Sequence, residues 1–221
     1  FAFAIGSVVI SFIIAVIISY VITRLRFEGF WRTLYFLPTI TTVVAVGNVW
    51  LYMYDPTSGL INGILTTLGF EQIAFLGNPQ TALASIIVVE GWFGIGSAVL
   101  ILTAGLKAIP DDYYEAATIE GAGATSIYWN ITLPLLKPSI LFVLITSFIA
   151  GLQSFTLTLV MTKTGGPGNS TNVAGLEMYN QAFTYSNWGL ASAMAFVLFI
   201  FIFIITLIQL AVFKRGGVES Y

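Results

Sequence analysis

The sequence predicts an all-α, polytopic transmembrane helical bundle of five spans. Hydrophobic residues make up 57% of the 221 and charged residues only 8%, against roughly 25% charged in an ordinary soluble domain. Such a chain cannot cover itself with a water-facing surface, and its eighteen Phe and five Trp point the same way. Runs at 2–23, 33–54, 81–106, 139–162 and 188–213 are each long enough for the ~20-residue helix that crosses a bilayer. Between the third and fourth runs lies EAATIEGAGATSIYWNITLP at 115–134, a polar island where a membrane chain needs only a short turn.

Taken in order, residues 2–23 carry no charge, and Arg24, Arg26 and Arg32 then flank a short polar turn. The chain opens on Phe without a charged leader region or a cleavage site, so this first run reads as a span and not as a signal peptide. The second run, 33–54, holds Pro38 near its start, as either a helix-start residue or a kink re-satisfied by neighbours. Residues 55–79 are punctuated by Pro56, Gly59, Asn62, Gly63, Gly69, Gly77, Asn78 and Pro79. They predict a loop with a short helical or re-entrant piece at 60–68. The third run contains one ionisable residue, Glu90. The fourth is uncharged, and 163–187 forms a second Gly- and Asn-rich loop followed by an amphipathic stretch. The fifth run is closed by Lys214 and Arg215.

Composition removes several kinds of chemistry. The chain has no Cys and no His, which excludes disulfides, thiol catalysis, zinc sites and imidazole acid–base work together. A net charge of −2 offers no basic surface to nucleic acid.

Basic residues collect on the cytoplasmic side of membrane proteins. In a five-span arrangement Arg24, Arg26, Arg32, Lys107, Lys137, Lys214 and Arg215 fall on one side and only Lys163 on the other. This puts the island and the C-terminus in the cytoplasm, with Phe1 and the two Gly-rich loops outside. An outside start implies at least one earlier span, upstream of Phe1.

Within the island, Pro110 suits the first turn of a helix and Asp111 and Asp112 complement its N-terminal dipole. Residues 113–120 favour helix and Gly121 is a natural stop. A second short helix is expected at 124–130, before Leu133-Pro134 and Lys137-Pro138 lead back to the membrane. The result is a cytoplasmic loop, 107–138, with a helix-turn-helix lying across the membrane face. Ala116, Ala117, Gly121, Ala122 and Gly123 are small enough for a partner backbone to approach closely. An interfacial helix in an ordinary loop explains the amphipathy, but not so much small-residue surface beside an acid.

The pattern E-A-A-x3-G-x9-I-x-L-P is matched in full by Glu115, Ala116, Ala117, Gly121, Ile131, Leu133 and Pro134. It resembles the cytoplasmic signature loop of binding-protein-dependent ABC importer permeases, of the type I fold. PTITTVVAVGNVW (38–50), GLINGILTTLG (59–69), TKTGGPGNSTNV (162–173) and NQAFTYSNWGLASAMAFVLF (180–199) are similar to the carbohydrate branch of that family, the maltose and glycerol-phosphate type. The similarity covers nearly the whole chain, as a single transmembrane domain over 1–221. Family permeases of this type usually have six spans, so the resemblance too implies that the N-terminal span is missing. It further implies a multi-pass protein of a prokaryotic inner membrane, in contact with lipid. Its partners would be a second homologous permease forming a heterodimer, two cytoplasmic ATPase subunits and an external sugar-binding protein. Glu115 would then face a cationic group on the ATPase, Ala116 and Ala117 would pack into its groove, and Gly121 would allow the exit turn. The chain would bind no cofactor of its own, ATP and Mg being held by the ATPase subunits. In keeping with this, GxxxxGK[ST] is absent, and Gly165, Gly166 and Gly168 lack the flanking strand and the Lys-Ser/Thr of a phosphate loop. Those glycines form either an outer loop that bends closely against a binding protein or an ordinary flexible turn.

A sugar path needs hydrogen-bonding groups and aromatic faces. The candidates are Asn48 and Tyr52, one helical turn apart, Glu90 and Trp92 in the third span, and Gln153 and Ser154 in the fourth. Glu90 is either a functional carboxylate inside the membrane or a group that pairs or snorkels near the outer interface. GWFGIGS at 91–97 points to close helix packing or a local irregularity. Two other functions compete with sugar import. One is import of another solute, such as an amino acid, phosphate or polyamine, by the same machinery. The other is transport without ATP, which calls for inverted repeats or an ion relay that the sequence does not display. An intramembrane enzyme has no catalytic constellation to use.

Overall fold

The computed structural model describes residues 1–215, with side chains through Phe213, and every regular element among them is helical. Lys214 and Arg215 therefore close the last helix without described side chains, and the expected cytoplasmic C-terminus at 216–221 lies outside the described residues. The helices are α1 (Ala2–Ile22), α2 (Glu28–Ile40), α3 (Val43–Met53), α4 (Leu60–Thr67), α5 (Pro79–Lys107) and α6 (Asp111–Ile119). They continue with α7 (Ala124–Ile127), α8 (Leu133–Gln153), α9 (Thr156–Thr162), α10 (Ala174–Tyr179) and α11 (Trp188–Arg215). Among the described residues, four helical stretches are long and apolar enough to cross a membrane: Ala2–Ile22, Pro79–Lys107, Ala124–Gln153 and Trp188–Phe213. A fifth crossing exists only if the bent pair α2 and α3 is taken as one.

That bend corrects the second expected span. The 33–54 run is two half-length helices turned 92° to each other. Thr41 (φ −72, ψ 146) and Thr42 (φ −64, ψ 138) are extended. The Thr42 hydroxyl then caps α3 by accepting from the Ala45 N–H at 3.4 Å. Residues 39–44 are all β-branched (Thr, Ile, Thr, Thr, Val, Val), which weakens helix at that point, and Pro38 in the last turn of α2 cannot donate to its ladder.

The fourth expected span, 139–162, is also redrawn. Its helix starts upstream and ends at Gln153, where Ser154 turns extended (φ −66, ψ 131) and α9 begins as a separate piece. The break is held from outside, because the α10 backbone at Gly175 seats against the Gln153 and Ser154 carbonyls, 3.2 and 3.3 Å from where a Cβ would sit. At the other end Pro134 and Pro138 lie within the first two turns of α8 itself. A π turn at Tyr128–Thr132, with the Leu133 N–H bonded to the Tyr128 carbonyl, joins α7 to α8. Pro134 has no N–H and its ring crowds the carbonyl four residues back, and the wider π turn absorbs that misfit.

Two apolar cores hold the bundle. The first packs Ala15 and Ile22 of α1 and Ile95, Val99 and Leu102 of α5 against Leu136 and Val143 of α8. The second packs Phe3 of α1 and Ile86 and Val89 of α5 against Val46 of α3 and Leu157 and Met161 of α9. The rod α5 runs through both, and between Val89 and Ile95 it turns Glu90 and Gly94 to a cleft while Phe93 still packs on the second core. Small residues bring neighbours close there, as membrane helices require. A Cβ on Gly91 would sit 2.8 Å from the Ile10 side chain of α1, and one on Gly96 would sit 2.5 Å from the Tyr35 carbonyl of α2.

At the Pro79 end of α5 the chain between α3 and α5 is ordered by two polar residues. The Asp55 carboxylate accepts from the Ser58 N–H (2.8 Å), both hydroxyls of Thr57 and Ser58 (2.9 Å each) and the Thr57 N–H (3.0 Å). Asn62, fully buried, donates to the Asp55 and Ile73 carbonyls and accepts from the Ile73 N–H at 2.9 Å.

A short exposed helix at one end of the bundle and a polar cleft at its waist

At the Lys107 end of α5 stands α6. Pro110 (φ −60, ψ 139) sits just ahead of it and not within its first turn, while Asp111 and Asp112 occupy that turn where acids suit the helix dipole. The helix closes on Gly121 at φ 80, with the Gly121 N–H on the Thr118 carbonyl (3.0 Å) and the Ala122 N–H on the Ala117 carbonyl (2.9 Å). This is the Schellman arrangement, in which glycine carries the left-handed residue. The Thr132 hydroxyl donates to the Tyr114 hydroxyl at 3.4 Å, tying α6 to the π turn.

Glu115 and Ala116 are exposed on α6, Ala117 is buried beneath it, and Ile119 is 87% exposed. A groove of about 600 Å³ runs along α6, lined by Pro110, Asp112, Tyr113, Ala116, Ala117 and Glu120 and closed by Ile131. Leu133 is half-buried at the start of α8 and Pro134 exposed. The seven signature positions thus divide between an outward surface (Glu115, Ala116), a turn (Gly121), the groove (Ala116, Ala117, Ile131) and the root of α8 (Leu133, Pro134). The expected second helix, 124–130, is only the first turn of a longer rod that continues into α8.

At the waist of the bundle, Glu90 lines a cleft of about 380 Å³ with Ser7 and Ser11 of α1, Thr39 of α2, Ser97 of α5, and Thr146 and Ser147 of α8. Ser154 stands beside the Glu90 carboxyl, so these two path candidates meet. The others do not join them. Trp92 points to another face, edge-on to Trp50 at 5.5 Å. Both line a small apolar pocket of about 250 Å³ in the elbow of α2 and α3, beside Pro38 and Thr41. Asn48 is exposed and its amide donates to its own helix at the Val44 carbonyl (2.9 Å). Tyr52 is 65% exposed, and Gln153 is exposed at the end of α8.

Sequence reasoning missed Trp50 and the hydroxyls of the cleft. Ser7 and Ser11 carry a readable signal, two polar residues four apart on one face of an otherwise aliphatic span. Thr146 and Ser147 carry none beyond being polar. Near the Pro79 end of α5, four hydrogen bonds push Asp55 down to about 2, led by the Ser58 N–H and followed by the Thr57 hydroxyl. The Asn172 amide, then that of Gln181, holds Glu177 below its ordinary value.

This arrangement, a bundle with an exposed short helix at one end, is found in a known class. Residues 1–216 match the family described as binding-protein-dependent transport system inner membrane component, and the chain belongs to that family of multi-pass membrane permeases. Among its relatives is the diacetylchitobiose uptake system permease protein NgcF of Streptomyces coelicolor, 37% identical over 79% of this chain and 50% of its own. Another is the trehalose/maltose transport system permease protein MalF of Thermococcus litoralis, 35% identical over 87% of this chain and 65% of its own. The chain spans about half to two thirds of the length of these relatives. A bacterial ABC transporter involved in the import of the acidic polysaccharide alginate superposes with a TM-score of 0.81 over 97% of this chain and 78% of that one, at 18% identity. The same alginate transporter, in complex with alginate pentasaccharide-bound periplasmic protein, gives 0.82 over 98% and 78%. The architecture is the type I ABC importer permease fold.

Proposed function

We propose that this chain is the transmembrane permease subunit of an ATP-driven importer that carries a sugar delivered by an external binding protein. The observation that carries the reading is α6: a short helix beyond the spans, shaped for contact by Ala116 and Ala117 and ended by an enforced turn at Gly121. Glu115 faces a cationic group on a cytoplasmic ATPase subunit and the exposed Ala116 packs into its groove, while Ala117 lies buried beneath α6. Closure of the ATPase pair is transmitted through the Tyr114–Thr132 contact into the continuous rod that begins at Ala124. ATP and Mg are held by the two ATPase subunits. A second homologous permease completes the membrane part as a heterodimer.

The orientation has the α6 end of α5 in the cytoplasm, supported by Arg24, Arg26, Arg32 and Lys107 at that end, and the loops at Asp55 and Gly165 outside. A carbohydrate cargo is supported by the names of the relatives and by the cleft at Glu90, which Ser154 joins; Asn48, Tyr52, Trp92 and Gln153 lie apart from that cleft and stand only as candidates elsewhere along the path. Two measurements test the reading. In a reconstituted complex, Gly121→Leu is expected to leave ATP hydrolysis running while sugar uptake falls; normal uptake removes α6 from the coupling role. Uptake assays with the companion binding protein and mono- to oligosaccharides, amino acids and polyamines then identify the cargo, and uptake confined to a non-sugar overturns the carbohydrate assignment.

A further inference from the structure

Behind α6 lies a second cleft, of about 700 Å³, between the ends of α1 and α5 and the island. Its depth in the membrane is fixed by the spans, because α1 ends at Ile22 and α5 at Lys107, the level at which apolar runs give way to headgroups. Two cations reach it. Arg24 is exposed and stacks 4.0 Å over the Tyr20 ring, with no carboxylate partner among the described residues. Lys107 holds Glu28 at 2.7 Å while its side chain stays 54% exposed. Asp111 lines the α6 wall, and Tyr20, Tyr114, Thr23 and Thr132 add hydroxyls.

The cleft therefore offers a forked guanidinium on one wall and a carboxylate on another. A guanidinium matches phosphate oxygens in a way that an ammonium does not, and basic pockets at the inner ends of membrane helices suit lipid headgroups. The carboxylate repels a bare phosphate but accepts from a donor placed next to one. Ile13, Ile17 and Val21 form an exposed apolar ridge on α1 that ends at Arg24 and Leu25, a track for an acyl chain. We propose that this cleft seats a membrane phospholipid whose phosphodiester lies on Arg24 and whose headgroup donates to Asp111. Phosphatidylethanolamine, through its ammonium, and phosphatidylglycerol, through its hydroxyls, have that chemistry; phosphatidylcholine has the phosphate without the donor. The bound headgroup braces the root of α6 from behind. The inference rests on the membrane placement of α1 and α5 and is independent of which partner α6 meets.

The test uses the assembled transporter, delipidated in detergent and resupplied with each lipid, with retained lipid counted by native mass spectrometry. Phosphatidylethanolamine and phosphatidylglycerol are expected to be retained over phosphatidylcholine. Arg24→Gln should lower their retention about fivefold, the effect of one basic side chain at a membrane surface. Arg24→Lys, which keeps the charge and loses the fork, should give a smaller loss and carries the test if the Gln variant does not assemble. Asp111→Asn should narrow the gap to phosphatidylcholine, and Arg26→Gln, outside the cleft, should change nothing. Equal retention of all three lipids, or indifference to both Arg24 variants, overturns the proposal. So does displacement of the lipid by millimolar inorganic phosphate, which would make a soluble anion the occupant. Failure of α6 to dock an ATPase would leave lipid retention unaltered, so the two readings fail separately.

Discussion

Gly121 is needed for its backbone and not for its size. Nothing lies within 4 Å of where its Cβ would be, yet its φ is +80, and an L-residue there costs about 1–2 kcal/mol. Asn tolerates this conformation better than a β-branched residue does. Gly121→Asn is therefore expected to keep most of the coupling that Gly121→Val loses, measured as uptake per ATP hydrolysed. Asn62 is a second residue whose identity is dictated by bonds. Asn62→Ala strands the Ile73 N–H and should lower stability by about 1–3 kcal/mol, read from thermal unfolding. Asp55 responds to pH. Its carboxyl is depressed to about 2 in the folded protein and titrates near ~4 when unfolded, so its contribution is present above pH ~4 and is lost as pH falls through about 2. Hydrogen exchange at residues 57–62 should accelerate over that window, and Asp55→Asn should remove the pH dependence.

At the scale of elements, the sequence reveals what local chemistry decides and hides what neighbours impose. The bounds of α1, α4, α5 and α11 follow from apolar runs and, at the start of α5, from Asn78, whose side chain caps it. The elbow between α2 and α3 is concealed by an unbroken apolar run, although six β-branched residues mark it in retrospect. Thr42→Ala, which removes the cap on α3, should cost about 1 kcal/mol, measured by chemical denaturation. The break after Gln153 has no local marker, because no Gly or Pro stands at 152–155; it exists because α10 is packed against the Gln153 and Ser154 carbonyls. The short helix α6 was largely legible, since Asp111 and Asp112 suit the dipole of its first turn and Gly121 takes the left-handed turn that ends it, while Pro110 falls one residue outside the helix. The cleft around Glu90 was legible only in part. Its hydroxyls come from four helices, and their convergence is a property of the packing.

Across the whole molecule, helix proximity at α5 governs integrity. Gly96 faces the Tyr35 carbonyl and the Phe36 Cα, backbone atoms that cannot yield as a side-chain tip can. Gly96→Val should push α2 off α5 and lower the melting temperature sharply. Gly63→Ala, in open space on α4, should raise it slightly through helix propensity. A protein in which both substitutions have equal effect would not have this packing.

The gap between the two apolar cores gives α5 a further role. Apolar packing holds each end of the bundle, while between them α5 turns Glu90 toward a cleft that also carries the hydroxyls of Ser7, Ser11, Thr39, Ser97, Thr146 and Ser147. Few helices run through both ends: α1 and α5 do, whereas α8 belongs to the first core and α3 and α9 to the second. The two ends are thus separate packing units joined along α1 and α5, with a polar joint between them. Motion delivered at the Lys107 end can reach the Pro79 end as a tilt about that joint, with neither core having to repack.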